Sequence, residues 1–182
     1  MNQANPEHRD TVTMTRLPME IPTYLPHEPD RHPLFYEGRN YQGASGRVFP
    51  IRVADRLRFE RTERSYDAIT LENRYLRVVV LPELGGRIHA GLDKTNGYDF
   101  IYCNHVIKPA LIGLAGPWVS GGIEFNWPQH HRPTTFMPLD AFLEEGVDGS
   151  RTVWVGETEP LYGMRAMAGI TLHPGRSCLR VR

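Results

Sequence analysis

The chain of 182 residues carries 21 basic and 21 acidic side chains, a zero formal charge that excludes the electrostatic footprint of a nucleic-acid or membrane-surface binder. Its 40% apolar content is that of an ordinary globular domain, and the length fits one domain. The only cysteines, Cys103 and Cys178, lie far apart with no C-x-x-C spacing, which argues against a disulfide framework or cysteine zinc site and favours a reduced, cytoplasmic setting.

Residues 1–40 read as an extended, proline-rich arm (Pro6, Pro18, Pro22, Pro26, Pro29, Pro33), because proline fixes φ and removes a donor. Ile21, Tyr24, Leu34, Phe35 and Tyr36 give that arm apolar anchors, so it is expected to be partly docked on the domain formed by residues 41–182. Its first twenty residues hold no apolar run of a secretory signal. From about Tyr66 the pattern takes period two. Leu76, Val78 and Val80 share one face of a strand ending at Pro82. Gly85-Gly86 makes a turn, after which Ile88, Ala90 and Leu92 alternate with Arg87, His89, Gly91 and Asp93. Asn96-Gly97 is a hairpin signal leading to a strand at Asp99–Cys103.

The most apolar stretch, Ile107 to Val119, is shorter than a membrane span and contains Lys108, Pro109 and Pro117. Further strands are expected at Ile123–Trp127, Thr152–Gly156, Met164–His173 and Cys178–Arg182, the last two joined by Pro174-Gly175. No window longer than ten residues holds an i, i+3, i+4, i+7 apolar stripe. The fold class is therefore all-β, an antiparallel β-sandwich. The chain ends inside a strand without a turn or polar tail, which reads as the N-terminal portion of a longer domain. Uncovered sheet surface and a free strand edge, both association liabilities, are expected to follow.

One segment concentrates chemistry: Gly121-Gly122-Ile123-Glu124-Phe125-Asn126-Trp127-Pro128-Gln129-His130-His131. On a strand, Glu124 and Asn126 share one face and Ile123, Phe125 and Trp127 the other. The paired glycines permit unusual φ or close approach of a ligand. Glu, Asn and His hydrogen-bond vicinal hydroxyls, and Glu or His can shuttle protons. The alternative is a solvent-facing polar stripe. Arg87 and His89, sharing a face, are either a ligand clamp or surface charge. Adjacent His130 and His131 point to opposite faces of a strand, and no H-x-x-x-H, H-E-x-x-H or Cys partner accompanies them, so no metal is expected. No cofactor is expected either, since phosphate-loop, dinucleotide and G-x-S-x-G motifs are absent. Trp118, Trp127, Phe136 and Trp154 are core aromatics or platforms for a sugar's apolar face.

Several blocks recur together in order: Ile21-Pro22-Thr23-Tyr24, Tyr41-Gln42-Gly43-Ala44-Ser45-Gly46, Leu71-Glu72-Asn73, Leu81-Pro82-Glu83-Leu84-Gly85-Gly86-Arg87-Ile88, Asn104-His105-Val106-Ile107-Lys108-Pro109-Ala110, Gly121-Gly122-Ile123-Glu124-Phe125-Asn126 and Ala168-Gly169-Ile170-Thr171-Leu172. From about Leu17 to Arg182 the chain resembles the family catalogued as domain of unknown function 5107, which is often found N-terminal to tetratricopeptide repeats in large bacterial proteins. The resemblance implies a galactose-mutarotase-like supersandwich and carbohydrate recognition on a sheet face. It also implies that the second half of the sandwich, where mutarotase relatives carry their main acid and base, lies beyond Arg182, with the repeats as a further partner.

Three functions follow. The first is a carbohydrate-binding module whose ligand set is Arg87, Asn126, Trp127, His130 and His131 around Glu124. The second is a glycosidase, lyase or epimerase with Glu124 as catalytic acid or base, for which Asp140, Glu144 or Glu145 is the nearest second carboxylate in sequence. The third is a structural interaction domain. The site is expected to be one cleft holding Glu124, Asn126 and a histidine, with Arg87 at its rim.

Overall fold

The computed structural model describes residues 10–29, 50–128 and 131–182. Among them it is all-β apart from one 3-10 turn, Pro82–Leu84. A five-stranded sheet holds β1 (Thr13–Pro26), β2 (Leu57–Glu72), β3 (Leu76–Leu81), β4 (Arg87–Asp93) and β5 (Tyr98–Ile101) in chain order. A small hairpin, β6 (Ala110–Gly113) and β7 (Gly116–Trp118), follows. A four-stranded sheet then holds β8 (Asp140–Glu145), β9 (Arg151–Thr158), β10 (Arg165–Leu172) and β11 (Leu179–Val181), also meandering in chain order. Every ladder is antiparallel.

Alternation decides which sheets touch. Leu76, Val78 and Val80 pack with Ile69, Leu71 and Ile88 on one side and Val153, Val155, Ile170 and Leu172 of the second sheet on the other. The opposite face of the first sheet is not solvated. Tyr66, Ala68, Val79 and Leu81 form a second cluster with Ile21, Ile107 and Val119. The β3 strand is thus apolar at nearly every position because both its faces are covered.

Part of the proline-rich arm is a true strand. Thr13 to Tyr24 pair with β2 in unbroken register. Tyr24 donates its N–H to Ile107 O, and Pro22 O accepts from Ile107 N, so the even-numbered residues turn their backbone away from β2. Pro18 and Pro22 therefore sit where a missing N–H costs no ladder bond, at an edge they also protect from foreign strands. The boundary expected at residues 40 and 41 falls outside the described residues.

Two departures from the alternation shape the site. Val79 pairs with Ala90 but Val80 pairs with Ile88, leaving His89 as the extra residue of a β-bulge. Ile88 consequently enters the inter-sheet core while Ala90 packs against the other cluster, not on the same face as simple alternation requires. The second concerns Ile123–Trp127, which is not a strand: only Ile123 forms a bridge, to Ile88. The Phe125 carbonyl is taken instead by the Arg132 guanidinium.

Asn73 joins the two sheets. Its side-chain oxygen accepts from Tyr75 N and Leu76 N at 2.8 Å each, shaping the β2–β3 turn. Its amide nitrogen donates to His173 O at 3.0 Å and Arg176 O at 2.8 Å in the β10–β11 turn.

Candidate functional site

Gly121 and Gly122 adopt φ of 83° and 73°, in the left-handed region that glycine occupies without strain. A Cβ on Gly122 would stand 2.4 Å from Ile88 O, so only glycine allows the chain this close to β4. The reciprocal Ile88–Ile123 bonds, 3.1 and 2.8 Å, then fix the chain beside the bulge. Glu124 follows directly.

Its carboxylate is held from three directions. Trp118 donates its indole N–H to Oε2 at 2.7 Å. His131 Nδ1 lies 3.3 Å from Oε1, and its ring meets the Trp118 ring edge-on at a 5.0 Å centroid distance. His131 reaches this position with φ of 45°, a backbone conformation uncommon for a non-glycine residue. Arg87 Nη2 stands 3.9 Å behind Oε2. The Glu124 and His131 side chains keep 14% and 26% exposure, enough to meet a ligand, whereas Arg87 keeps 2%.

Arg87 belongs to the floor and not the rim. It stands opposite Leu81 on the covered face of β4, where Nη1 donates to Val119 O and Gly121 O at 2.7 and 2.8 Å and Nε to Leu84 O at 3.3 Å. Nη2 has no hydrogen-bond partner among the described residues. Burial pulls this guanidinium below its usual pKa, Glu124 opposes that pull, and the positive charge of Arg132 adds to it. His89 is buried as well, so neither residue is surface charge. Burial, then Arg87 and His105, lower His89 to about 4. Its Nε2 lies 3.4 Å from Cys103 Sγ, and burial pushes that thiol up, away from thiolate reactivity.

Of the expected site residues, the structure brings together Glu124, His131 and Arg87. Asn126 is exposed and makes no hydrogen bond to another described residue. His130 lies outside the described residues. Trp127 turns to other work, packing on the inter-sheet core with its indole N–H on Glu157 at 2.9 Å and Arg132 4.3 Å over its ring. Glu157 also accepts from Thr134 at 2.6 Å and pairs with Arg132 at 3.2 Å. Sequence reasoning missed Trp118 as a partner of Glu124 and Arg132 as the pin of the loop. Each sits in a stretch without alternation.

Among the described residues no cluster of three or more metal-ligating side chains occurs, and no helix is long and apolar enough to cross a membrane. The fold resembles a solved TPR-domain-containing protein from Parabacteroides distasonis ATCC 8503, with a TM-score of 0.80 and 25% identity. The likeness covers 94% of this chain and 28% of that one, so this chain spans under a third of its neighbour's length. The family model described as domain of unknown function (DUF5107) matches residues 44–182, and the chain belongs to that family.

Proposed function

We propose that the chain is a saccharide-recognising β-sandwich module of galactose-mutarotase-like type, working within a larger repeat-containing protein. The observation that carries the reading is the Glu124 carboxylate, partly exposed yet fixed by Trp118 and His131 with a buried Arg87 behind it. A carboxylate offers about four acceptor directions, and its two hydrogen-bonding side chains leave room for the hydroxyls of a sugar. Immobilising both neighbours beforehand lowers the ordering cost of binding.

An enzymatic reading draws on the same pair, since a carboxylate 3.3 Å from an imidazole can pass a proton. The second carboxylate such chemistry uses is harder to find here. Asp140, Glu144 and Glu145 lie on β8, Glu144 bonds Trp154, and Glu157 is committed to Trp127, Thr134 and Arg132. Binding is therefore the favoured role.

Glu124→Gln keeps the shape and removes the charge. Glycan-array screening followed by calorimetry should show a bound saccharide whose affinity falls about tenfold or more in the variant. Retained affinity with loss of a measurable turnover would assign the acid–base role instead. If no saccharide binds the wild type, the interaction-domain reading replaces both.

A further inference from the structure

An open backbone edge runs along the first half of β2. Odd-numbered residues of β1 face β2, and the register pairs Ile21 with Arg64 and Thr23 with Thr62, so even-numbered β2 residues bond β1. The odd-numbered ones turn their N–H and C=O groups the other way. On that side β3 takes Ile69 and Leu71, and the Glu83 carboxylate accepts from Asp67 N at 3.0 Å in place of a further strand. Beyond it, at Arg61, Glu63 and Ser65, no described residue bonds the outward backbone.

The usual guards of an edge are missing from this stretch. β1 carries Pro18 and Pro22 on its outer edge, and β5 is four residues long with a shift of register. Arg61–Ser65 holds no proline or glycine, and its register with β1 shifts only past Arg61, toward Leu57. The charges here run Glu60, Arg61, Thr62, Glu63, Arg64, an order that inverts its signs when read backwards. Glu60 has no ion-pair partner among the described residues, and Arg61 and Glu63 meet only loosely at 3.8 Å. Arg64 is already positioned, tied to Glu83 at 2.8 Å and lying 4.7 Å over the Tyr66 ring.

We propose that this edge pairs with the same edge of a second copy of the chain, antiparallel, about a two-fold axis through Thr62. Hydrogen-bonded partners in an antiparallel ladder both turn outward, so odd-numbered residues meet odd-numbered ones. With the axis at Thr62, Arg61 faces Glu63 of the second copy and Glu60 faces its Arg64, and the symmetry repeats each pair in reverse. Every charge from Glu60 to Arg64 then stands across from its opposite. Moving the axis by one residue sets Arg61 on Arg61 or Glu63 on Glu63, so the charges fix the register. The same axis brings Phe59, 91% exposed, toward Ser65 of the second copy. A strand of different sequence meets the same backbone but not this order of charges, which disfavours mismatched partners. The edge uses none of the residues around Glu124, so it stands or falls separately from that site.

Sedimentation velocity of the chain across a concentration series tests the pairing. Wild type should form a reversible dimer that added salt weakens, as it does other exposed charge pairs. Arg61→Glu and Glu63→Arg, both at exposed positions, each set like charges opposite one another twice and should weaken the dimer about tenfold or more. Mixed in equal amounts, the two variants should associate again as a heterodimer, since each supplies the charge that the other has lost. A monomer at every concentration up to about 1 mM overturns the proposal. So does a dimer that survives both single changes, which would join the molecules through another surface, or a mixture that associates no more tightly than its components.

Discussion

His89 is a buried base whose nearest influences, burial, Arg87 and His105, all oppose its protonation, setting its pKa at about 4 against an ordinary 6.5. Between those values the unfolded chain holds a proton that the folded chain does not. The stability His89 contributes is complete above pH 6.5 and is lost as pH falls toward 4. Urea unfolding at pH 7 and pH 4.5 should show wild type losing on the order of 2 kcal/mol more than His89→Gln. Equal losses would mean that the imidazole accepts its proton in the native state. The Arg87–His89 spacing marked two polar residues that the structure buries. It did not reveal their burial, because alternation does not show that the first sheet is covered on both faces. Glu124 stands out in the sequence for a different reason: the Gly121-Gly122 pair before it asks for a backbone geometry that a plain surface strand does not need.

Among the elements, the clearest error is Ile123–Trp127. Its alternation holds at Phe125 and Trp127, which pack on the core, but not at Ile123, which is exposed. A loop crossing a sandwich edge buries alternate side chains just as a strand does, and what separates them is where the backbone bonds go. Here Arg132, distant by seven residues, supplies one of them. The close passage at Gly122 can be isolated by comparison. Gly97 has the same φ of about 72° but nothing within 4 Å of an added Cβ, whereas Gly122 meets Ile88 O. Gly97→Ala should cost about 1 kcal/mol, the left-handed backbone alone. Gly122→Ala should cost on the order of 2–4 kcal/mol, because the bridge to β4 must open. Chemical denaturation of both variants checks the difference, and equal losses would show that the loop shifts at no cost.

For the molecule as a whole, the sandwich could be read from short alternating runs punctuated by glycine, proline and Asn-Gly, and the hairpins at Gly97 and Gly175 fall where those signals stood. The extent of β2 could not. Its first half, from Leu57, bears mostly exposed residues on both faces and pairs only with β1, so no apolar period marks it. The β8 strand was missed similarly, since Asp140–Glu145 mixes one exposed aromatic with acidic groups. The exposed apolar groups on the second sheet were invisible for a simpler reason: sequence shows which residues alternate, not which face finds a partner.

Asn73 has a consequence for the order in which the molecule assembles. Each sheet is a meander of neighbouring strands, while the Asn73 amide reaches carbonyls 100 and 103 residues away. Such contacts are reached only after a long loop closes, so they belong late on the folding path. Asn73→Asp retains the oxygen that shapes the β2–β3 turn but replaces the donor that faces His173 and Arg176. Stopped-flow measurements should find its unfolding faster by about tenfold or more and its refolding nearly unchanged. A slowed refolding limb would place the union of the two sheets before the rate-limiting barrier. With the late assignment, one amide group lengthens the time the two sheets stay together without changing the speed with which they meet.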